Sequence, residues 1–266
     1  MIRRLWLAPL LLVASLQPAR ADTIPVGFAP PTDRTFAYRI DQHRPVEGKD
    51  SLFTTTRDLR FDRAGDGYIL HVTLRTLDSD AAPSGAEPFR AALSPLVGID
   101  HRFRLDASGH IVALDNIDAI WSAVEAGLQK MVASFAPDTP RHRAASNILT
   151  LFAGLLPEGR LALLAGEVQP LFLFAGSSVE DGAGRGVRTA AGSPLGHSVP
   201  VEGTLVVESR AGPLLTLAEK LNGQGVQVGM QYRLSTTSGL IEEQRRTLAV
   251  GTGTLTETRT LTPLKK

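Results

Sequence analysis

The sequence predicts an α+β protein: one large curved antiparallel β-sheet, an incomplete barrel of about nine or ten strands, wrapping two or three central helices. Three observations carry this. Apolar and polar residues alternate with period two toward both ends of the chain, apolar spacing of three and four is confined to its middle, and Gly-containing turns separate the alternating runs. Strands joined in sequence by short turns pair antiparallel, and helices segregated between them pack on one face of the sheet.

The first strands are the clearest. In TFAYRI, Phe36, Tyr38 and Ile40 share a face while Ala37 and Arg39 take the other. SLFTTTRDLRF places Phe53, Leu59 and Phe61 together, with Arg57 on that same apolar face. GYILHVTLRTL sets Tyr68, Leu70, Val72 and Leu74 against Ile69, His71, Thr73 and Arg75. Between these two runs, DRAGDG supplies glycines suited to the positive φ of a tight hairpin. LDSDAAPSGAEP is then expected to be a polar loop. A second hairpin follows, with Ile99, His101, Phe103 and Leu105 on one face and a turn at Asp106 to Gly109.

At Ile117 the period changes. Ile117, Ile120, Trp121, Val124, Leu128, Met131, Val132 and Phe135 form one stripe down a helix, with Asp115 or Asn116 placed to cap it. A second helix is expected in TPRHRAASNILTLFAGLLP, capped by Thr139 and started by Pro140, with Ile148, Leu151, Phe152 and Leu155 facing one way. EGRLALLAGE suits a third, shorter one. VQPLFLFAG fits a buried strand or a helix end equally well.

From Ala175 to Gly203 the chain is loaded with Gly, Ser and Pro, which predicts a long mobile loop. Beyond it TLVVES, PLLTLAEKL, VQVGMQYRL, IEEQRRTLAV and TLTETRTLTPL form an antiparallel meander. In VQVGMQYRL, Val226, Val228, Met230, Tyr232 and Leu234 make one continuous apolar face. The expected organisation is therefore a signal peptide over 1–21, an extended arm over 22–34, and a single half-barrel domain over 35–266. That domain carries a helical insert at about 115–166 and the Gly-rich loop at about 175–203.

The chain begins with Arg3 and Arg4, an apolar run from Leu5 to Leu16, and Ala19-Arg20-Ala21 before Asp22. These are the parts of a secretory signal peptide cleaved after Ala21. The apolar run is short of the ~20 residues that cross a bilayer, and no later segment is longer and as apolar, so a soluble periplasmic protein is expected. With no cysteine anywhere, the chain has no lipidation site of the lipoprotein kind, no disulfide and no thiolate metal site. Removing Arg3, Arg4 and Arg20 takes the formal charge from +1 to −2, which offers no footprint for nucleic acid.

No catalytic, cofactor or metal site emerges. The six histidines, His43, His71, His101, His110, His142 and His197, lack ligand spacing. No serine sits in a Gly-x-Ser-x-Gly elbow, and GAGRG at Gly182 to Gly186 lacks the Lys-Ser/Thr of a phosphate loop. Adjacent Glu242 and Glu243 in a strand are expected to point to opposite faces. The residues best suited to line an apolar cavity are Tyr38, Tyr68, Trp121, Phe135, Leu151, Phe152, Met230 and Tyr232, all of which also suit a packed core.

The order of these elements resembles a known family. FRAALSPLVGIDHRFRLDASGHIVALDNIDAIW, followed by helices and by a Gly-rich passage into strands with YRLSTTSGLIEEQ, looks like exported bacterial proteins similar in fold to the lipoprotein carriers LolA and LolB. Their hairpin turn with Gly before the helix corresponds to Asp106 to Gly109, and their late Thr-Gly-Leu signal to Thr237 to Leu240. The resemblance implies an incomplete antiparallel barrel closed by helices, with an apolar cavity for acyl chains. It carries over no individual carrier residue, and the lipid anchor of LolB is missing.

The expected function is accordingly a non-enzymatic periplasmic protein, without cofactor, that binds an acyl chain or other lipid, or a cell-envelope partner protein. The alternative is a structural or protein-interaction module with a filled core. A hydrolase would require Ser193 and His197 to meet beside an acid such as Asp181.

Overall fold

The computed structural model describes residues 22–191, 198–251 and 253–265. The predicted signal peptide lies outside the described residues, as do Ser193 and His197. The chain opens with β1 (Thr23–Pro25), β2 (Thr35–Val46), β3 (Lys49–Ala64) and β4 (Gly67–Ser79). Helix α1 (Pro83–Leu93), a 3₁₀ turn at Ser94–Leu96, β5 (Asp100–Leu105) and β6 (Ile111–Leu114) follow. Then come helices α2 (Ile117–Ala133), α3 (Pro140–Ala153) and α4 (Pro157–Ala165), and a 3₁₀ turn at Gln169–Phe172. The chain finishes with β7 (Ser178–Glu180), β8 (Arg185–Ala191), β9 (Val199–Ala211), β10 (Leu214–Gly223), β11 (Val226–Ser235), β12 (Ile241–Val250) and β13 (Gly253–Pro263).

The fold is α+β. Eleven strands form one antiparallel sheet in the order β6-β5-β4-β3-β2-β13-β12-β11-β10-β9-β8, one or two more than expected, and the sheet is not closed into a barrel. Its pivotal pairing is β2 with β13, from Phe36 opposite Pro263 to His43 opposite Thr256. That pairing joins the meander at the start of the chain to the one at its end. The apolar alternation sets which face turns inward, because a one-residue slip would expose every core side chain.

Besides a register shift in the short β5–β6 pairing, where Val112 is the extra residue opposite Arg104 and Leu105, three bulges adjust that alternation. Opposite Thr56 and Arg57, β4 accommodates Arg75 as an extra residue, so the inward phase passes from Leu74 to Leu77. A second bulge falls in β9 opposite Thr216 and Leu217. The third falls at Glu242 in β12, opposite Arg233 and Leu234.

Helices cover only part of the inner face. The larger core joins β2 to β5 with α2, α4 and the 3₁₀ turn, and includes Tyr38, Leu59, Phe61, Leu70, Ile120 and Trp121. Over the C-terminal strands the cover is different. There the two-stranded ribbon of β1 and β7, with Ile24, Val26 and Val179, packs on Leu215, Leu217, Tyr232 and Leu234. Phe28 fixes the arm by edge-on contacts to Tyr68 at 5.2 Å and Phe172 at 5.8 Å between ring centroids.

Several expectations are corrected. The segment expected to be a polar loop contains α1, whose Pro83, Gly85 and Pro88 speak against a helix by propensity. Packing overrides propensity: Ala86 is buried, Phe89 meets Phe53 edge-on at 5.1 Å, and Gly127 of α2 lets the α1 backbone approach closely at Ala92. The arm over 22–34 is extended as expected but enters a ribbon as β1. Among the described residues of the Gly-rich stretch over 175–203, β7, β8 and the start of β9 are strand, because each finds a partner strand. Asn116 occupies the N-cap position of α2, but its side chain makes no capping hydrogen bond to the first turn. Its side chain instead donates to Asp100 O at 2.7 Å and accepts from Arg102 N at 3.2 Å, clipping the helix to β5. Thr139 does cap α3, accepting from His142 N.

Candidate functional site

A cavity of about 320 Å³ lies between the inner face of the sheet and the helices. Its floor is Arg57 of β3, Val72 and Leu74 of β4, and His101 and Phe103 of β5. The strand register explains this set: Arg57 stands opposite Leu74, and Val72 opposite His101 in the adjacent row, so all four share the inner face, with the Arg57–Leu74 row the nearer to the edge of the regular pairing. The bulge at Arg75 lies directly beside that row. Leu93 and Leu96 close one side, Val124 and Leu128 of α2 another, and Phe152, Leu163 and Leu164 of α3 and α4 the rest. The volume is within the ~300–1,000 Å³ range of small-molecule pockets, and the lining is mostly apolar with few polar groups.

The polar groups are Arg57, His101 and Glu167. The Arg57 side chain is 9% exposed and its Nη2 donates to Glu167 Oε2 at 2.7 Å, while Nη1 donates to Thr55 Oγ1 at 2.6 Å. Glu167 lies between α4 and the following 3₁₀ turn, and its side chain is 54% exposed. His101 Nδ1 lies 3.1 Å from Ile99 O. Burial holds the His101 imidazole below its ordinary pKa, with the backbone carbonyls of Ile99 and Val72 only partly opposing, so the ring is neutral at pH 7.

Behind Glu167 a polar seam runs along the β2–β13 pairing. Arg259 Nη1 donates to Tyr38 Oη at 3.1 Å and to Glu167 O at 2.9 Å, and Tyr38 Oη donates to the same carbonyl at 3.3 Å. Arg259 Nε also donates to Glu257 Oε1 at 2.5 Å, and Gln42 Nε2 donates to Glu257 Oε2 at 2.5 Å. Burial alone would raise the Glu257 pKa, but Arg259 and the hydrogen bonds from Arg259 and Gln42 outweigh it and hold the carboxylate below its usual range. This seam pins the backbone at Glu167 and leaves its carboxylate on the solvent side.

The residues singled out in the sequence scatter over this architecture. Phe152 lines the cavity. Tyr38, Tyr68 and Trp121 are buried core; Trp121 stacks on Phe152 with ring centroids 6.0 Å apart, and the Arg160 guanidinium lies over the Trp121 ring, 5.0 Å from its centroid. Phe135 follows the last turn of α2 and is not among the lining side chains. Leu151 is 51% exposed and faces solvent. Met230 and Tyr232 lie far along the sheet and line a second, more open hollow of about 420 Å³ with Arg246 and Glu219. The Tyr232 hydroxyl donates to Glu219 Oε2 at 2.9 Å there.

What residue-by-residue reasoning missed are Arg57, His101 and Glu167 as a polar set, and the apolar wall from α1. Arg57 on an apolar face was the legible signal. Glu242 and Glu243 are a further correction: the bulge in β12 lets both border one surface hollow, and Glu242 pairs with Arg233 at 3.3 Å. Among the described residues no group of three or more His, Cys, Asp or Glu side chains is placed to hold a metal ion. Nor is any single helix among them long and apolar enough to cross a membrane. Comparison of the chain with models of known protein families and with curated proteins finds no match.

Proposed function

We propose that this protein is exported to the periplasm and there binds one apolar chain, an acyl chain or similar lipid tail, without transforming it. The observation that carries the proposal is the cavity between α1, α2, α3, α4 and the strands β3 to β5. Its walls are Leu, Val and Phe side chains, which gain nothing from water and shield a hydrocarbon from it. A fully packed interaction module would leave no such space, since interiors ordinarily pack to crystal-like density. The resemblance in element order to the lipoprotein-carrier half-barrels leans the same way, as do the basic, apolar and small-residue parts of the first 21 residues.

Native mass spectrometry and solvent extraction of protein purified from the cells that make it test the proposal. A co-purifying acyl lipid, and a rise in melting temperature with added long-chain lipid, are expected. Val124→Trp, which places an indole in the cavity, should abolish both while leaving the fold intact. A folded protein that neither carries nor is stabilised by any long-chain molecule would refute it.

A further inference from the structure

We propose that Arg57 makes this cavity selective for a single-chain amphiphile with a carboxylate end, a long-chain free fatty acid, whose carboxylate replaces Glu167 on the guanidinium while its tail lies under the helices. The inference rests on the binding function proposed above and adds the chemistry of the ligand's head.

An arginine on the floor of an apolar cavity has a large desolvation cost that only a well-placed anion offsets. Among the described residues Glu167 supplies the carboxylate partner of Arg57, through one oxygen at 2.7 Å. A guanidinium is a planar fork that accepts a carboxylate through two parallel hydrogen bonds, so a one-oxygen contact leaves part of its capacity unused. The Glu167 carboxylate is also well suited to leave. Its backbone is anchored by Arg259 and Tyr38, but its side chain is 54% exposed and rehydrates readily when it swings outward.

The remaining lining decides the kind of ligand. Glu167 is the single acidic side chain among the lining residues, and His101 is neutral, so the cavity offers one net cationic group once Glu167 has moved. One monovalent anion at one end of a hydrocarbon matches that; a phosphate monoester would bring a second, uncompensated charge. A neutral lipid would leave Arg57 and Glu167 as they are.

The test compares palmitate, hexadecanol and hexadecyl phosphate by isothermal titration to the full-length mature protein, to Arg57→Met and to Glu167→Gln. Charge-assisted bonding predicts at least about tenfold tighter binding of palmitate than of hexadecanol. Arg57→Met should erase that preference while keeping the hexadecanol affinity. Glu167→Gln, which leaves the buried floor untouched, should tighten palmitate several-fold and leave hexadecanol unchanged. Equal binding of acid and alcohol, a uniform loss in Arg57→Met, or a preference for hexadecyl phosphate would overturn the carboxylate assignment while the apolar-chain function stands. Failure of hexadecanol as well as palmitate in every folded variant would remove both.

Discussion

Arg259 on the last strand donates to the hydroxyl of Tyr38 on the first long strand, 3.1 Å away and 221 residues distant in the chain. Through this contact and the ion pair to Glu257, the seam joining the two halves of the sheet is polar on its inner side. Glu257 and Arg259 side chains are 7% and 14% exposed, so each needs the other. Arg259→Met leaves a buried carboxylate without its cation and should lower the unfolding free energy by about 3 kcal/mol. Urea denaturation measures it, and the double variant with Glu257→Gln should recover a large part of the loss.

The same pair sets an acid limb. Because the folded-state pKa of Glu257 is depressed, its contribution is complete above the unfolded-state value of about 4.5 and disappears as the pH falls through the lower folded-state value. The melting-temperature gap between wild type and Glu257→Gln should therefore be largest near neutrality and shrink below pH 4.5. A gap independent of pH would contradict the pairing.

His101 gives a second, milder slope. Its depressed pKa means the unfolded chain takes up the proton first as the pH drops below about 6.5. The stability tied to the neutral ring is whole above that value and declines as the pH falls from there toward the folded-state pKa. His101→Leu should flatten the stability profile in that interval, measured by thermal unfolding at successive pH values.

Gly127 controls the cavity wall. A methyl group there would sit 2.0 Å from the carbonyl oxygen of Ala92, closer than any atom tolerates. Gly127→Ala must push α1 off α2, at a cost of roughly 1–3 kcal/mol from overpacking. Since Ala92, Leu93 and Leu96 border the cavity, its ligand affinity should fall as well.

Phe28 holds the N-terminal arm down. Phe28→Ala should cost about 3 kcal/mol and, by loosening β1 from β7, expose the apolar surface around Leu215, Leu217 and Leu234. Increased binding of a hydrophobic dye by the folded variant would report it; an unchanged signal would show that the arm is dispensable cover.

Much of the fold was legible. Strand alternation at Phe36, Tyr38 and Ile40, the helical stripe through Ile120, Trp121 and Val124, and the cap at Thr139 are local patterns, and each appears where the spacing placed it. The misreadings share one cause. Helix α1, the strands β7 and β8, and the bulges at Arg75 and Glu242 are stabilised by partners distant in sequence, against or without local preference. The candidate site was legible only as a anomaly, Arg57 on an apolar face, since the Glu167 it meets lies 110 residues away.

By itself, then, the sequence determined the class of fold, the antiparallel order of the terminal strands, the position of the helices and the absence of cysteine chemistry. Those follow from periodicity and composition, which act within a few residues. Only the tertiary structure decided that β2 pairs with β13, that the helices cover one half of the sheet while the arm covers the other, and that Arg57, His101 and Glu167 share a cavity. Such placements depend on which apolar faces close against each other and which buried charges find partners, and both are properties of the assembled chain.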